Sequence, residues 1–167
     1  MHRNFSLNDD FNCCMASLNY SGLMLASQGE MHDMDKYEED EDEEMDAAHQ
    51  AGDEQAEKID KKLSYLYFKP LNEQKNLKDW HFKLNSQERV ECLAQGAGWC
   101  AAATNNGYIR IFSTEGVQKM ILHQSSQIVT MAGYENLLVI FYHSGLPVYE
   151  NQQIKYKIID CGGFSSK

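Results

Sequence analysis

Gly98-Trp99-Cys100-Ala101-Ala102-Ala103-Thr104, followed across Asn105-Asn106-Gly107 by Tyr108-Ile109-Arg110-Ile111-Phe112, is the stretch that decides the fold class. A short apolar run, then a turn composition rich in Asn and Gly, then a run of β-branched and aromatic residues reads as two antiparallel strands joined tightly. Glu115-Gly116 supplies a second turn, and Val117-Gln118-Lys119-Met120-Ile121-Leu122 a third strand.

The pattern repeats outward in both directions. Upstream lie apolar runs at residues 63–68, 79–84 and 90–94, preceded by a hairpin signal in which 13–18 and 22–27 flank Asn19-Tyr20-Ser21-Gly22. Downstream come runs at 128–132, 137–142 and 154–159, with turns at Gly133-Tyr134-Glu135-Asn136 and Ser144-Gly145-Leu146-Pro147. Alternation in 108–112 and 154–158 sets Arg110, Lys155 and Lys157 on a half-exposed face apart from their neighbours. Residues 137–142 are continuously apolar, which predicts an inner strand covered on both faces. The architecture expected is all-β, with evenly spaced short strands that suit a sandwich, a barrel or a propeller. The series of an Ala-Ala-Ala-Thr strand, a turn, Gly-Tyr-Ile-Arg-Ile-Phe, another turn and Gly-Val-Gln favours a propeller blade, read as an inner strand followed by two outer ones.

The 167 residues set a ceiling of one domain, and 43% hydrophobic with 11% aromatic residues can fill a core. No apolar run reaches membrane-spanning length, and Met1-His2-Arg3-Asn4-Phe5 is followed by polar positions where a secretory leader needs an apolar stretch. Cys13, Cys14, Cys92, Cys100 and Cys161 are an odd set with two adjacent, which suits reduced thiols in the nucleus or cytosol.

The net charge of -10 is concentrated in one place. Residues 31–60 hold 14 of the 25 acidic side chains against Lys36 and Lys58, so the rest of the chain sums to +2. Self-repelling charge with few branched apolar residues cannot offset its ordering entropy, so 31–60 is expected to be a disordered insertion, with partial helix around 45–58 the alternative. It contains no Ser or Thr for a kinase. A solvated loop is its plainest role, and attraction to basic chromatin proteins such as histones its functional one.

Candidates for chemistry fail one by one. Cys13-Cys14 lacks zinc-finger spacing. His123 with Ser125 and Ser126 sits in a turn, where neighbours rarely reach triad geometry, and no Gly-x-Ser-x-Gly elbow is present. Gly96-Ala97-Gly98 precedes a strand where a dinucleotide site needs a helix, and His143 suits a strand-end hydrogen bond. Arg110, Lys119, Lys155 and Lys157, interleaved with Tyr108 and Tyr156, make too sparse a footprint for phosphate tracking and read as a solvated outer sheet face. Trp80 and Trp99 read as core anchors between blades. No catalytic, cofactor-binding or metal-ligating residue is assigned, and no cofactor is expected.

The motif series 98–104, 107–112 and Gly116-Val117-Gln118, with Val129-Thr130-Met131-Ala132-Gly133 and Tyr142-His143-Ser144-Gly145, resembles the WD-repeat and HMG-box DNA-binding protein family. These are the chromosome-transmission-fidelity and minichromosome-loss proteins, and the similarity is to their middle, SepB-type region over roughly 6–28 and 62–160. The resemblance implies a nuclear, non-enzymatic replisome scaffold that forms a homotrimer and couples the replicative helicase complex to DNA polymerase alpha–primase. It also implies an association with chromatin or DNA, and none with a membrane. In the family, client peptides dock chiefly on a helical bundle that follows this propeller, so client-contact residues lie outside this sequence. The organisation expected is residues 1–30 as the first strands of the second propeller, 31–60 as the insertion and 61–167 as a partial second propeller. At about 40 residues per blade the chain supplies about three blades, fewer than the roughly four to eight that close a ring, so an incomplete β-propeller fragment of a longer protein is expected.

Overall fold

The computed structural model describes residues 10–29, 63–71, 77–149 and 151–163. The acidic insertion expected at 31–60 lies outside them. Eleven strands run β1 (Met15–Leu18), β2 (Gly22–Ala26), β3 (Tyr65–Pro70), β4 (Trp80–Lys83), β5 (Val90–Gly96), β6 (Trp99–Thr104), β7 (Tyr108–Ser113), β8 (Gln118–His123), β9 (Ile128–Tyr134), β10 (Leu137–His143) and β11 (Ile154–Asp160). They form three antiparallel meanders, β1-β2-β3-β4, β5-β6-β7-β8 and β9-β10-β11, here called sheets A, B and C. The long connection carrying the acidic run joins β2 to β3, which still pair directly from Gly22↔Pro70 to Ala26↔Leu66.

The sheets stack face to face, with β5 lying against β1 and β9 and with β2 and β10 close behind. Each meander therefore presents its first strand to its neighbours, the arrangement of propeller blades around an axis. The expected all-β, three-bladed partial propeller is what forms. One detail differs: the innermost strand of the central blade is β5, and the Ala-rich β6 is second. The short, mixed run 90–96 carries weaker β signals than 99–104, so the stronger strand looked like the inner one.

Period-2 alternation explains why β6 is apolar from Trp99 to Ala103. Trp99, Ala101 and Ala103 join Ile109 and Ile111 in packing on Ile128, Met131, Leu138 and Ile140 of sheet C. Cys100, Ala102 and Phe112 pack the other way, on Met24, Leu66 and Phe68 of sheet A. All six residues of β6 are buried, and the small side chains of Cys100 to Ala103 let two sheets close on a third while Trp99 fills the space toward sheet C.

β10 corrects the sequence expectation of cover on both faces. Leu138 and Ile140 are buried against sheet B, but among the described residues nothing lies over the opposite face, where Leu137 is 45% exposed and Val139 and Phe141 are half-buried. A continuous apolar run marks a strand that can be covered twice; it does not say whether the second cover is present.

Candidate functional site

The polar chemistry of the described residues concentrates where the sheets meet. The indole Nε1 of Trp99 donates to the carbonyl of Glu135 at 2.8 Å, and the backbone N–H of Ala97 donates to the same oxygen at 2.7 Å. Gly96 and Gly133 permit this approach: a Cβ on Gly133 would run into the Gln95 carbonyl, and one on Gly96 into that of Glu135. On the other side of sheet B, Asn19 Nδ2 donates to the Gly96 carbonyl at 3.0 Å, and Gln95 Nε2 donates to that of Ser17. Farther out, Trp80 Nε1 donates to the carbonyl of Thr114 at 3.1 Å, its ring stacked on Phe68 and tilted against Phe112. Both tryptophans are thus inter-sheet anchors, as their residue type suggested.

The four cations do not form one patch. Arg110 faces sheet A, where its Nε and Nη2 donate to the two carboxylate oxygens of Glu88 at 2.7 and 2.6 Å and its Nη1 to Gln118 Oε1 at 3.0 Å. The guanidinium lies 5.8 Å from the centre of the Phe82 ring and 6.0 Å from that of Tyr108. Hydrogen bonding to Glu88 raises its already high pKa. The expected solvated position is therefore wrong for Arg110, whose side chain is only 12% exposed. Glu88, 2% exposed in the connection to β5, is the residue sequence reasoning missed; the one signal for it was an isolated arginine in an apolar strand.

Lys157 donates to Gln124 Oε1 at 3.0 Å and sits 6.0 Å from the Tyr142 ring centre. Lys155 shares that face of β11, because it pairs with Tyr142 as Lys157 pairs with Ile140, while Tyr156 points the opposite way beside Phe141. Lys119 is exposed on β8, in another sheet.

His123, Ser125 and Ser126 line a cleft of about 460 Å³ with Glu91, Thr104 and Gln124. The imidazole packs against Tyr108 with ring centres 5.6 Å apart, a packing role for a residue weighed as a base. His143 closes β10, its backbone N–H donating to Gln127 O at 3.0 Å. Gly96-Ala97-Gly98 is the β5–β6 turn, with Gly98 at φ 80°. Burial pushes the Cys92 and Cys161 thiols up to about 11 and that of Cys100 higher still, so none is a ready thiolate at neutral pH. Cys14 is exposed and Cys13 half-buried, and among the described residues no cluster of His, Cys, Asp and Glu could hold a metal ion.

With this geometry in place, comparison with known proteins is decisive for family. The profile described as "Minichromosome loss protein, Mcl1, middle region" matches residues 1–167. The chain belongs to this family. WD repeat and HMG-box DNA-binding protein 1 of Homo sapiens is 31% identical over 109 residues, 65% of this chain and 9% of that protein. Protein ENHANCER OF LHP1 1 of Arabidopsis thaliana is 31% identical over 97 residues, 58% of this chain and 10% of that protein. The chain spans about a tenth of the length of the curated relatives it matches. Among solved structures, the crystal structure of HIRA(644-1017) is similar with a TM-score of 0.39 and 21% identity, covering 47% of this chain and 23% of that one. In this Mcl1 middle region, the side chains of Asn19, Trp80, Gln95 and Trp99 join one sheet to the next.

Proposed function

We propose that the chain serves as a non-enzymatic scaffold segment of the replisome: part of the second β-propeller of a nuclear protein that couples the replicative helicase to DNA polymerase alpha–primase. In this proposal residues 1–30 and 61–167 build the propeller, 31–60 are inserted into it, and the longer protein acts as a chromatin-associated homotrimer. Membership of the Mcl1 middle-region family carries the proposal. The engagement of Arg110, Trp80 and Trp99 in inter-sheet contacts supports a structural part for this segment. Affinity purification of the longer protein, tagged at its gene, from nuclease-treated S-phase nuclei is the test. Recovery of both helicase and polymerase alpha–primase subunits is expected, and recovery of neither would overturn the coupling role.

The concentration of 14 acidic side chains in residues 31–60 favours a second role, binding of basic chromatin proteins such as histones. That role requires salt-sensitive capture of histones that disappears when 31–60 are deleted, and capture that survives the deletion refutes it.

A further inference from the structure

One cleft lies within the central sheet and its connection to sheet C, away from both ends of the stack. It measures about 460 Å³ and is framed by Glu91 of β5, the 104–107 turn after β6 and the 123–128 connection from β8 to β9. A β-bulge sets Glu91 outside the β5–β6 ladder, because Val90 pairs with Thr104 and Cys92 with Ala103. Such bulges re-aim a side chain, and Glu91 is exposed, with no cationic partner among the described residues.

Thr104 adds an independent observation. It is 1% exposed and lines the cleft, yet its hydroxyl has no hydrogen-bond partner. Buried polar groups are otherwise paired in native structures, so an orphan hydroxyl in a cleft wall points to a group that enters the cleft.

The bonds already made decide what the cleft can offer. Asn105 is engaged at both ends, its Oδ1 accepting from the Arg89 N–H at 2.7 Å and its Nδ2 donating to the Gln87 carbonyl at 3.2 Å. Asn106 Nδ2 donates to the same carbonyl at 3.3 Å, which leaves its Oδ1. The lining therefore presents mainly acceptors: the Glu91 carboxylate, Asn106 Oδ1 and the hydroxyl oxygens of Thr104, Ser125 and Ser126. Lys157, the cation that borders it, is bonded to Gln124 Oε1. The charge beside the mouth has the same sign as Glu91. Residues 31–60, with their 14 acidic side chains, are inserted between Ser27 and Ser64. Ser64 Oγ donates to the Ser27 carbonyl and accepts from the N–H of Val90, the residue before Glu91.

We infer that this cleft receives an arginine side chain of a basic partner protein. A guanidinium is planar, always charged and carries five N–H donors, so it can serve Glu91, Asn106 Oδ1 and the Thr104 hydroxyl together, where a lysine ammonium is a point charge. The cleft supplies the selectivity for arginine, and the acidic insertion supplies long-range attraction for any cation. The inference goes beyond the histone-binding role, which needs only residues 31–60, and does not rest on it.

Fluorescence anisotropy on the longer protein tests this, with a labelled short peptide that holds one arginine between lysines. Citrulline in place of the arginine keeps the shape and removes the charge. The arginine peptide is expected to bind at least about tenfold more tightly than its citrulline counterpart, as loss of a charge-assisted hydrogen bond implies. Glu91→Gln and Thr104→Val should each remove most of that preference. Glu91 is exposed and the Thr104 hydroxyl is unpaired, so neither change should unfold the protein, which circular dichroism checks. Deleting 31–60 should weaken both peptides alike and leave the ratio between them. Equal binding of the two peptides to the wild-type protein overturns the inference, while the histone role, which requires no preference for arginine, is untouched by that result. A preference that survives Glu91→Gln and disappears with 31–60 also overturns it, because arginine recognition would then lie in the insertion.

Discussion

Replacing Trp99 should uncouple sheets B and C more than any other single change. The side chain is fully buried in the cluster between these sheets, and its indole N–H donates to the Glu135 carbonyl. Large aromatic-to-alanine changes in cores cost about 3–5 kcal/mol, a large fraction of the roughly 5–15 kcal/mol that holds a domain. Trp99→Phe keeps much of the apolar surface, and the Glu135 carbonyl keeps its bond from Ala97, so its expected cost is about 1–2 kcal/mol. With a urea dependence of about 2 kcal/mol/M, Trp99→Ala should lower the unfolding midpoint by about 2 M and Trp99→Phe by under about 1 M. The assay is urea unfolding followed by tryptophan fluorescence. Either variant leaves Trp80 as the remaining tryptophan, so the signal reports the junction between sheets A and B. A midpoint for Trp99→Ala within about 0.3 M of wild type, less than about 1 kcal/mol on the same scale, would refute the assignment of Trp99 as the anchor.

Gly133→Ala and Gly96→Ala place a Cβ against a neighbouring sheet's carbonyl and should each lower the urea midpoint clearly, whereas Gly145→Ala meets nothing within 4 Å and should be neutral; equal effects would contradict the close approach. Glu88→Ala strands a mostly buried guanidinium and should cost about 3–5 kcal/mol in urea unfolding, while Lys119→Ala on an exposed strand should change stability by under about 0.5 kcal/mol. Arg110→Lys should also destabilise, because an ammonium cannot reproduce the two-pronged contact with Glu88; a wild-type midpoint would deny that contact. Burial raises the Cys92 thiol from its ordinary value near 9 to about 11, so the folded state holds a proton that the unfolded state releases first. Stability should therefore fall as pH rises from about 9 to about 11, and Cys92→Ala should remove its share of that slope in urea titrations at each pH while Cys161 and Cys100 keep theirs; an unchanged slope would reject the burial.

The strands were legible because β structure at a sheet interior leaves local marks. Asn105-Asn106-Gly107 and Glu115-Gly116 fall at the corners of sheet B, and Gly107 and Gly116 adopt the positive φ those turns use. The apolar run of β6 was equally plain, and its reason is visible only in three dimensions: odd positions serve sheet C and even positions sheet A. The order of strands within the blade was harder to see, since β5 owes its inner place to packing against β1 and β9 and not to any local preference.

Side-chain roles were less legible than strands, for a physical reason that Arg110 makes concrete. Alternation along β7 correctly puts Arg110 on a different face from Ile109 and Ile111, and an isolated strand with that pattern would have its charge in water. In the stacked sheets that face meets sheet A, so the same alternation buries the guanidinium and requires a carboxylate from a separate connection, Glu88, 22 residues away in sequence. A period-2 pattern separates two faces but cannot say which is wet when both can be covered. The same ambiguity explains the opposite error at β10, where a uniformly apolar strand implied two covers and the described residues supply one. Both errors share one source: in a stack of sheets, exposure is a property of neighbours and not of strands, so polarity alone identifies an outer face only at the ends of the stack.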